Sequence, residues 1–252
     1  MWRVATKSDM WRATRDQRDR AARGAYSCHP SPVTRHPMAF TLVELLVVIS
    51  IIGVLAAFTV PVLSAVKRHQ YISQTRAEMG QLQAAIDSYH AAYGFYPPSN
   101  PNGLLGNQLY YELEGTYLDT TNGVFKTLDG GAQIPVASVA TAFGLGGFMN
   151  CNKAGANEDS QPARNFIHEL KPNQTALDTN NGVGITILVG SVGGPDRTYQ
   201  PLGAPNLNPW RYVSPGTNNP TSYDLWIQLS MGGKQNLICN WSKEVQVNNP
   251  LP

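Results

Sequence analysis

The apolar and polar positions divide the chain into three stretches of different character. From Phe40 to Val66 the sequence runs FTLVELLVVISIIGVLAAFTVPVLSAV, with Glu44 as its one charged residue and Lys67–Arg68 closing the run. At about 1.5 Å per residue, a helix from Phe40 to Val60 already covers the roughly 30 Å hydrocarbon core of a bilayer. A core helix of a soluble domain rarely sustains so long an uncharged run, so the pattern predicts a membrane-spanning helix. A cleaved secretory signal shares the basic front and apolar centre, but its apolar core is shorter and ends at an A-x-A site before a polar start. No such site is evident here.

Residues 67–93 change to an amphipathic period. Ile72, Met79, Leu82, Ile86, Tyr89 and Tyr93 are spaced seven, three, four, three and four residues apart. That spacing places them on one helical stripe, with Gln, Arg, Glu and Asp on the other faces. Gly94 and then Pro97–Pro98 stop the helix. Pro61 falls inside it and predicts a bend, because it removes a backbone hydrogen bond. A continuous helix from Phe40 to Tyr93 would be roughly 80 Å long. Such a length suits a fibre subunit better than an enzyme.

Beyond residue 96 the chain turns to Gly, Pro, Asn and Thr with short apolar runs. Strands are predicted at Gln133–Val139, Val183–Val192, Trp210–Val213, Tyr223–Leu229 and Leu237–Trp241, and a helical turn at Asn165–Leu170. LDTTNGV (118–124) and LDTNNGV (177–183) echo each other. Asn-Gly between strand formers is a hairpin signal, and shared turn chemistry explains the echo without a repeat.

Charge sharpens the division. Residues 1–39 hold eight Lys/Arg against three Asp, a net +5, and with a whole-chain charge of +2 the remainder carries −3. A basic surface for nucleic acid is therefore not a property of the main body. Basic residues ahead of an apolar span act as a topology signal, placing the N-terminal side in the cytoplasm. Cys28 lies in this leader, with Cys151 and Cys239 far downstream, and there is no CxxC or Cys/His cluster of the kind that holds zinc. If the body is exported, Cys151 and Cys239 form a candidate disulfide pair; two buried thiols are the alternative, and spacing does not decide.

The residues MAFTLVELLVVISIIGVLAA resemble the class III signal of type IV pilins and type II secretion pseudopilins: a small residue, then Phe, Thr-Leu-(Val/Ile)-Glu and an apolar helix. The resemblance is close over residues 38–61 and extends to GFYPP at 94–98. It implies that a prepilin peptidase cuts between Ala39 and Phe40 and methylates the new amine on Phe40. The family usually has Gly before the cut, where this chain has Ala39. The resemblance also gives Glu44 a role. A carboxylate in an apolar span costs on the order of 3 kcal/mol. Pairing with the Phe40 amine of a neighbouring subunit would offset that cost and fix one axial register. Snorkelling to the headgroups is the bland alternative.

The tail resembles the major pseudopilin of type II secretion. Asn208-Pro209-Trp210, Tyr223-Asp224-Leu225, Gly232-Gly233 and Asn240-Trp241 stand where that pattern has Asp-Pro-Trp-Gly, Tyr-Asp-Leu, a Gly-rich loop and Asn-Trp. Many of those proteins bind calcium in the Gly-rich loop. Residues 230–238 here contain no Asp or Glu, whereas calcium takes six to eight oxygens, so no cofactor is expected. Asp178 to Gly182 reads as a turn rather than a calcium loop.

Nothing in the sequence suggests catalysis. After the leader only His69, His90 and His168 remain; Gly190-Ser191-Val192-Gly193 lacks the GxSxG spacing, and Gly144–Gly147 has no following Lys-Ser/Thr. The tail aromatics read as sheet core. The expected protein is α+β with a pilin fold: leader 1–39, membrane and polymerisation helix 40–66, amphipathic helix 67–96, and a periplasmic head 97–252 with an inserted region at about 100–205. The resemblance implies a non-enzymatic subunit of a type II secretion pseudopilus. It would sit in the inner membrane, N-terminus cytoplasmic, and its partners would be copies of itself, other pseudopilins, the peptidase and the secretion platform. A type IV pilus subunit is the alternative, and a signal-anchored periplasmic enzyme or binding protein is a third.

Overall fold

The computed structural model describes residues 41–152, 162–179 and 182–248, with the side chains of 59–62 outside the description. The leader, Ala39 and Phe40 lie outside the described residues, and so does the side chain of Pro61. The chain divides into two compact units, Met1–Gly53 and Val54–Pro252. Of the first, residues 41–53 are described, and from Leu42 they are helical.

The helix α1 runs from Leu42 to Tyr93 as one element. It ends where the sequence predicts: Gly94 takes φ +80°, a left-handed cap a side chain would resist, and its N–H donates to His90 O at 2.8 Å. Within the second unit the expected stripe packs inward. Leu82, Ile86 and Tyr89 are fully buried, while Ile72, Met79 and Tyr93 are half-buried against the same core. One assignment is corrected. Glu78, expected on a polar face, is buried within the stripe. It is tolerated because Ser191 donates to it through both N–H (3.1 Å) and hydroxyl.

After α1 come α2 (Leu109–Glu114), strands β1 (Thr116–Asp119), β2 (Val124–Thr127) and β3 (Gln133–Pro135), helix α3 (Val136–Phe143), β4 (Cys151–Asn152), β5 (Thr175–Asp178), β6 (Ile185–Leu188), β7 (Arg211–Val213), β8 (Asp224–Met231), β9 (Lys234–Cys239) and β10 (Ser242–Val247). They form a sheet ordered β3-β2-β1-β4, an all-antiparallel sheet ordered β10-β9-β8-β7, and a β5–β6 hairpin. In the first sheet β4 pairs with β1 in parallel, Thr116 facing Cys151. The architecture is α+β, with a long N-terminal apolar helix, one mixed sheet, one antiparallel sheet and a hairpin.

Three of the five predicted strands lie in the last sheet or overlap it closely. Gln133–Val139 is half right. Pro135 ends β3, and Val136–Phe143 is helical, burying Val139, Ala142 and Phe143 and ending at Gly144 with φ +68°. The strand expected at Val183–Val192 is confined to Ile185–Leu188. The predicted turn at Asn165–Leu170 is not helical; Asn165 Oδ1 instead accepts from Ile167 N–H at 2.8 Å. Both segments, LDTTNGV and LDTNNGV, lie between antiparallel strands, β1 to β2 and β5 to β6, although residues 180–181 of the second turn lie outside the described residues.

Candidate assembly and anchoring segment

The segment that carries the chemistry begins at Thr41. Thr41 precedes the helix, and its Oγ accepts from Glu44 N–H at 3.2 Å. Glu44 Oε2 in return accepts from Thr41 N–H at 2.9 Å and from Thr41 Oγ–H at 2.8 Å. This is a reciprocal capping box, which satisfies orphan donors of the first turn with two side chains three residues apart. The signal was present in the sequence as Thr41-Leu-Val-Glu44, a T-x-x-E in front of an apolar run, and the reading of Glu44 as a pairing or snorkelling group overlooked it. The Glu44 side chain is otherwise exposed among the described residues.

From Leu42 to Val54 every side chain on α1 is exposed, Leu42 at 78% and Ile52 at 58% among them. No soluble protein surface leaves so many branched aliphatics in water. The helix is long and apolar enough to cross a membrane. This is consistent with a single-pass anchor.

In the second unit several buried polar groups are hydrogen-bonded into the core. Glu112 on α2 is fully buried and accepts from Tyr89 Oη (3.0 Å), Met149 N (2.9 Å) and Asn150 N (3.0 Å). Burial holds its pKa above the usual carboxylate range, and burial also raises that of Tyr89. Glu114, two residues on, accepts from Asn165 Nδ2 at 2.5 Å; burial, helped by the charge of Asp129, pushes its pKa up to about 7. No sequence signal singled out either carboxylate. Among the described residues His90 stacks on Tyr96 at 4.1 Å, and Gln81 donates to the backbone oxygen of His168.

Cys151 and Cys239 are not brought together. Cys151 belongs to the β1–β4 sheet and lines an apolar cleft of about 590 Å³ with Leu118, Phe125, Phe148 and Met149. Cys239 belongs to β9, in a separate cluster with Trp226 and Leu237, and borders a cleft of about 490 Å³ beside Arg76 and Trp241. The two sulfurs are not bonded to each other. Cys151 therefore sits on β4 and Cys239 on β9, in different sheets.

The Gly-rich loop is the β8–β9 turn, with Gly232 and Gly233 at φ +61° and +71°. Its nearest carboxylate is Asp196, which accepts from Ser230 Oγ (3.0 Å), Gly232 N (3.4 Å) and Gly233 N (3.2 Å). A carboxylate surrounded by hydrogen-bond donors caps the turn; calcium would need oxygens there instead. Among the described residues no group of three or more His, Cys, Asp or Glu could hold a metal ion.

No protein-family model matches the chain. No solved structure matches it either. The chain is similar to the type IV major pilin protein PilE1 of Neisseria gonorrhoeae, 30% identical over 88 residues, which are 34% of this chain and 40% of that protein. It is also similar to the fimbrial protein EcpC of Eikenella corrodens, 29% identical over 129 residues, 48% of this chain and 76% of that protein. The match thus spans well under half of the first relative and about three quarters of the second. Together with the long apolar helix and the α+β architecture, these two weak similarities support a type IV pilin-like family for this chain.

Proposed function

We propose that this protein is a structural, non-enzymatic subunit of a membrane-anchored filament. The observation that carries the reading is the first half of α1, an exposed apolar helix whose single carboxylate, Glu44, sits in its first turn. Polymerisation buries that surface against other copies, and before assembly the bilayer covers it. In this reading a prepilin peptidase removes the leader at Ala39–Phe40. Basic residues hold the N-terminal side in the cytoplasm, and the sheets face outward from the inner membrane.

The finer assignment is a pseudopilus of the type II secretion system. Its support is the tail pattern, whose blocks all fall on one sheet: Trp210 enters β7, Asp224-Leu225 open β8, Gly232–Gly233 turn into β9, and Asn240–Trp241 turn into β10. Asn240 Oδ1 accepts from Leu225 N–H at 3.0 Å, so the last block locks the second. A type IV pilus subunit is the second reading, favoured by the pilin and fimbrial relatives. The test is assembly in cells that carry a prepilin peptidase and a secretion or pilus platform. Sheared fibres containing the mature chain are expected; a processed, membrane-inserted protein that never forms polymer under these conditions would refute the filament reading.

A further inference from the structure

We propose that the tip of the β8–β9 hairpin, together with Lys67, Arg68, Arg197 and Lys234, is a docking surface for anionic phospholipid headgroups. The inference rests on the reading of α1 as a membrane span and adds a second, electrostatic contact to it.

Two hydrogen bonds fix the direction of the hairpin along α1. Tyr223, just before β8, donates to Asp87 Oδ1 at 3.5 Å. Arg68 Nη2 donates to Asn236 Oδ1 at 2.8 Å, and Asn236 lies opposite Leu229 on β8. Moving from Tyr223 toward the turn therefore moves down α1, toward its apolar half. Beyond the Leu229–Asn236 pair the hairpin extends by Ser230–Gln235 and Met231–Lys234 before it turns at Gly232–Gly233. Those two pairs add about 7 Å, whereas Arg68 stands only about 3 Å beyond Val66 along the helix axis. The turn thus reaches the level where exposed Leu63 and Val66 give way to Lys67 and Arg68.

The charge at this level is opposite to that of the body. Lys67, Arg68, Arg197 and Lys234 are all exposed. Arg197 is held there by its neighbour, since Asp196 N–H donates to Ser230 O at 3.0 Å. Among the described residues Asp196 is the carboxylate hydrogen-bonded to the turn, and it is occupied by the Ser230 hydroxyl and the two glycine amides. Among the described residues none of the four cations is ion-paired. Residues 40–252 carry a net −3, yet four of their eleven Lys/Arg collect at this one rim. Unpaired cations at the height of the headgroup layer are attracted by anionic lipid. The glycine turn brings no side chain to obstruct the approach.

The test uses the full chain in proteoliposomes of phosphatidylcholine, with or without about one-third phosphatidylglycerol. Amide hydrogen exchange is followed in the peptide covering Met231–Asn236. Exchange is expected to slow about fivefold with phosphatidylglycerol, and to return to the phosphatidylcholine rate in about 0.5 M NaCl or in the Lys67→Gln/Arg197→Gln/Lys234→Gln variant. Arg68 is left intact because it ties β9 to α1. Peptides from β1 and β2 should not respond. Equal exchange in both lipids, or a lipid effect that survives in the variant, overturns the docking surface. Carbonate washing of the same vesicles separates this from the anchor itself: a chain that stays inserted without a lipid effect defeats only the docking surface, and one that washes out defeats both.

Discussion

Thr41 and Glu44 close the first turn of α1 on each other, Thr41 Oγ accepting from Glu44 N–H at 3.2 Å and Glu44 Oε2 accepting from Thr41 N–H at 2.9 Å. In the proposed filament this carboxylate has two separable duties: it caps a helix, and its charge pairs with a cation on another subunit. The two are distinguishable because glutamine serves a capping box nearly as well as glutamate.

Glu44→Gln is accordingly expected to keep the helix start and to insert into the membrane at least as well as the parent, since the insertion cost falls. Polymer should nonetheless be lost, because the amine on Phe40 of the neighbour has no counter-charge in a low-dielectric setting. Thr41→Ala should do the opposite, costing about 1 kcal/mol of helix start while leaving the charge. The checks are membrane abundance and sheared filaments from the same cells; normal filaments from Glu44→Gln would remove the pairing role.

Processing at Ala39–Phe40 predicts a mature chain whose first residue is methylated Phe40. N-terminal sequencing and intact mass of the membrane form measure this directly. Replacing Ala39 with a bulky residue should leave precursor in the membrane. A mature chain that starts well inside the apolar run would mean an ordinary secretory signal instead.

Glu112 predicts the most sensitive position of the second unit. Glu112→Leu leaves Tyr89 Oη and the Asn150 amide buried without their acceptor, and the Met149 amide loses it too. The expected cost is about 3–5 kcal/mol, seen as a lowered denaturation midpoint of the full chain in detergent. Glu112→Gln keeps one oxygen acceptor and should cost less. An unchanged midpoint for the leucine variant would show that the network contributes little.

Glu114 predicts a pH dependence with a definite sign. Its native pKa is raised from 4.5 to about 7, so between these values the folded chain holds a proton that the unfolded chain has released. Its contribution to stability is thus complete below about pH 4.5 and is lost as pH rises toward 7. Discounted for screening, the effect is on the order of 1 kcal/mol. The fall in Tm between pH 5 and 7.5 should be smaller in Glu114→Gln than in the parent; equal slopes would assign the dependence to other groups.

The sequence by itself determined the long helix, its end at Gly94, the inward stripe Leu82–Ile86–Tyr89 and three of the four strands of the last sheet, because each rests on local chemistry. An uncharged run of that length has one use, a left-handed cap needs glycine, and a 3.6-residue period can bury only one face. The Asn-Gly turns were legible for the same reason. Tertiary structure alone decided the rest. Val136–Val139, expected as the second half of a strand, instead opens the helix Val136–Phe143, because Pro135 ends β3 and Val139 and Phe143 find a core to fill. Glu78 and Glu112 look like surface carboxylates until distant partners, Ser191 and the 149–150 amides, arrive to satisfy them. Spacing leaves open where Cys151 and Cys239 lie, and the fold puts them on separate sheets. The basic rim was invisible in the sequence, since Lys67, Arg197 and Lys234 are far apart along the chain. They meet because a β-hairpin is tied antiparallel along a helix, and no local pattern encodes where that tie falls.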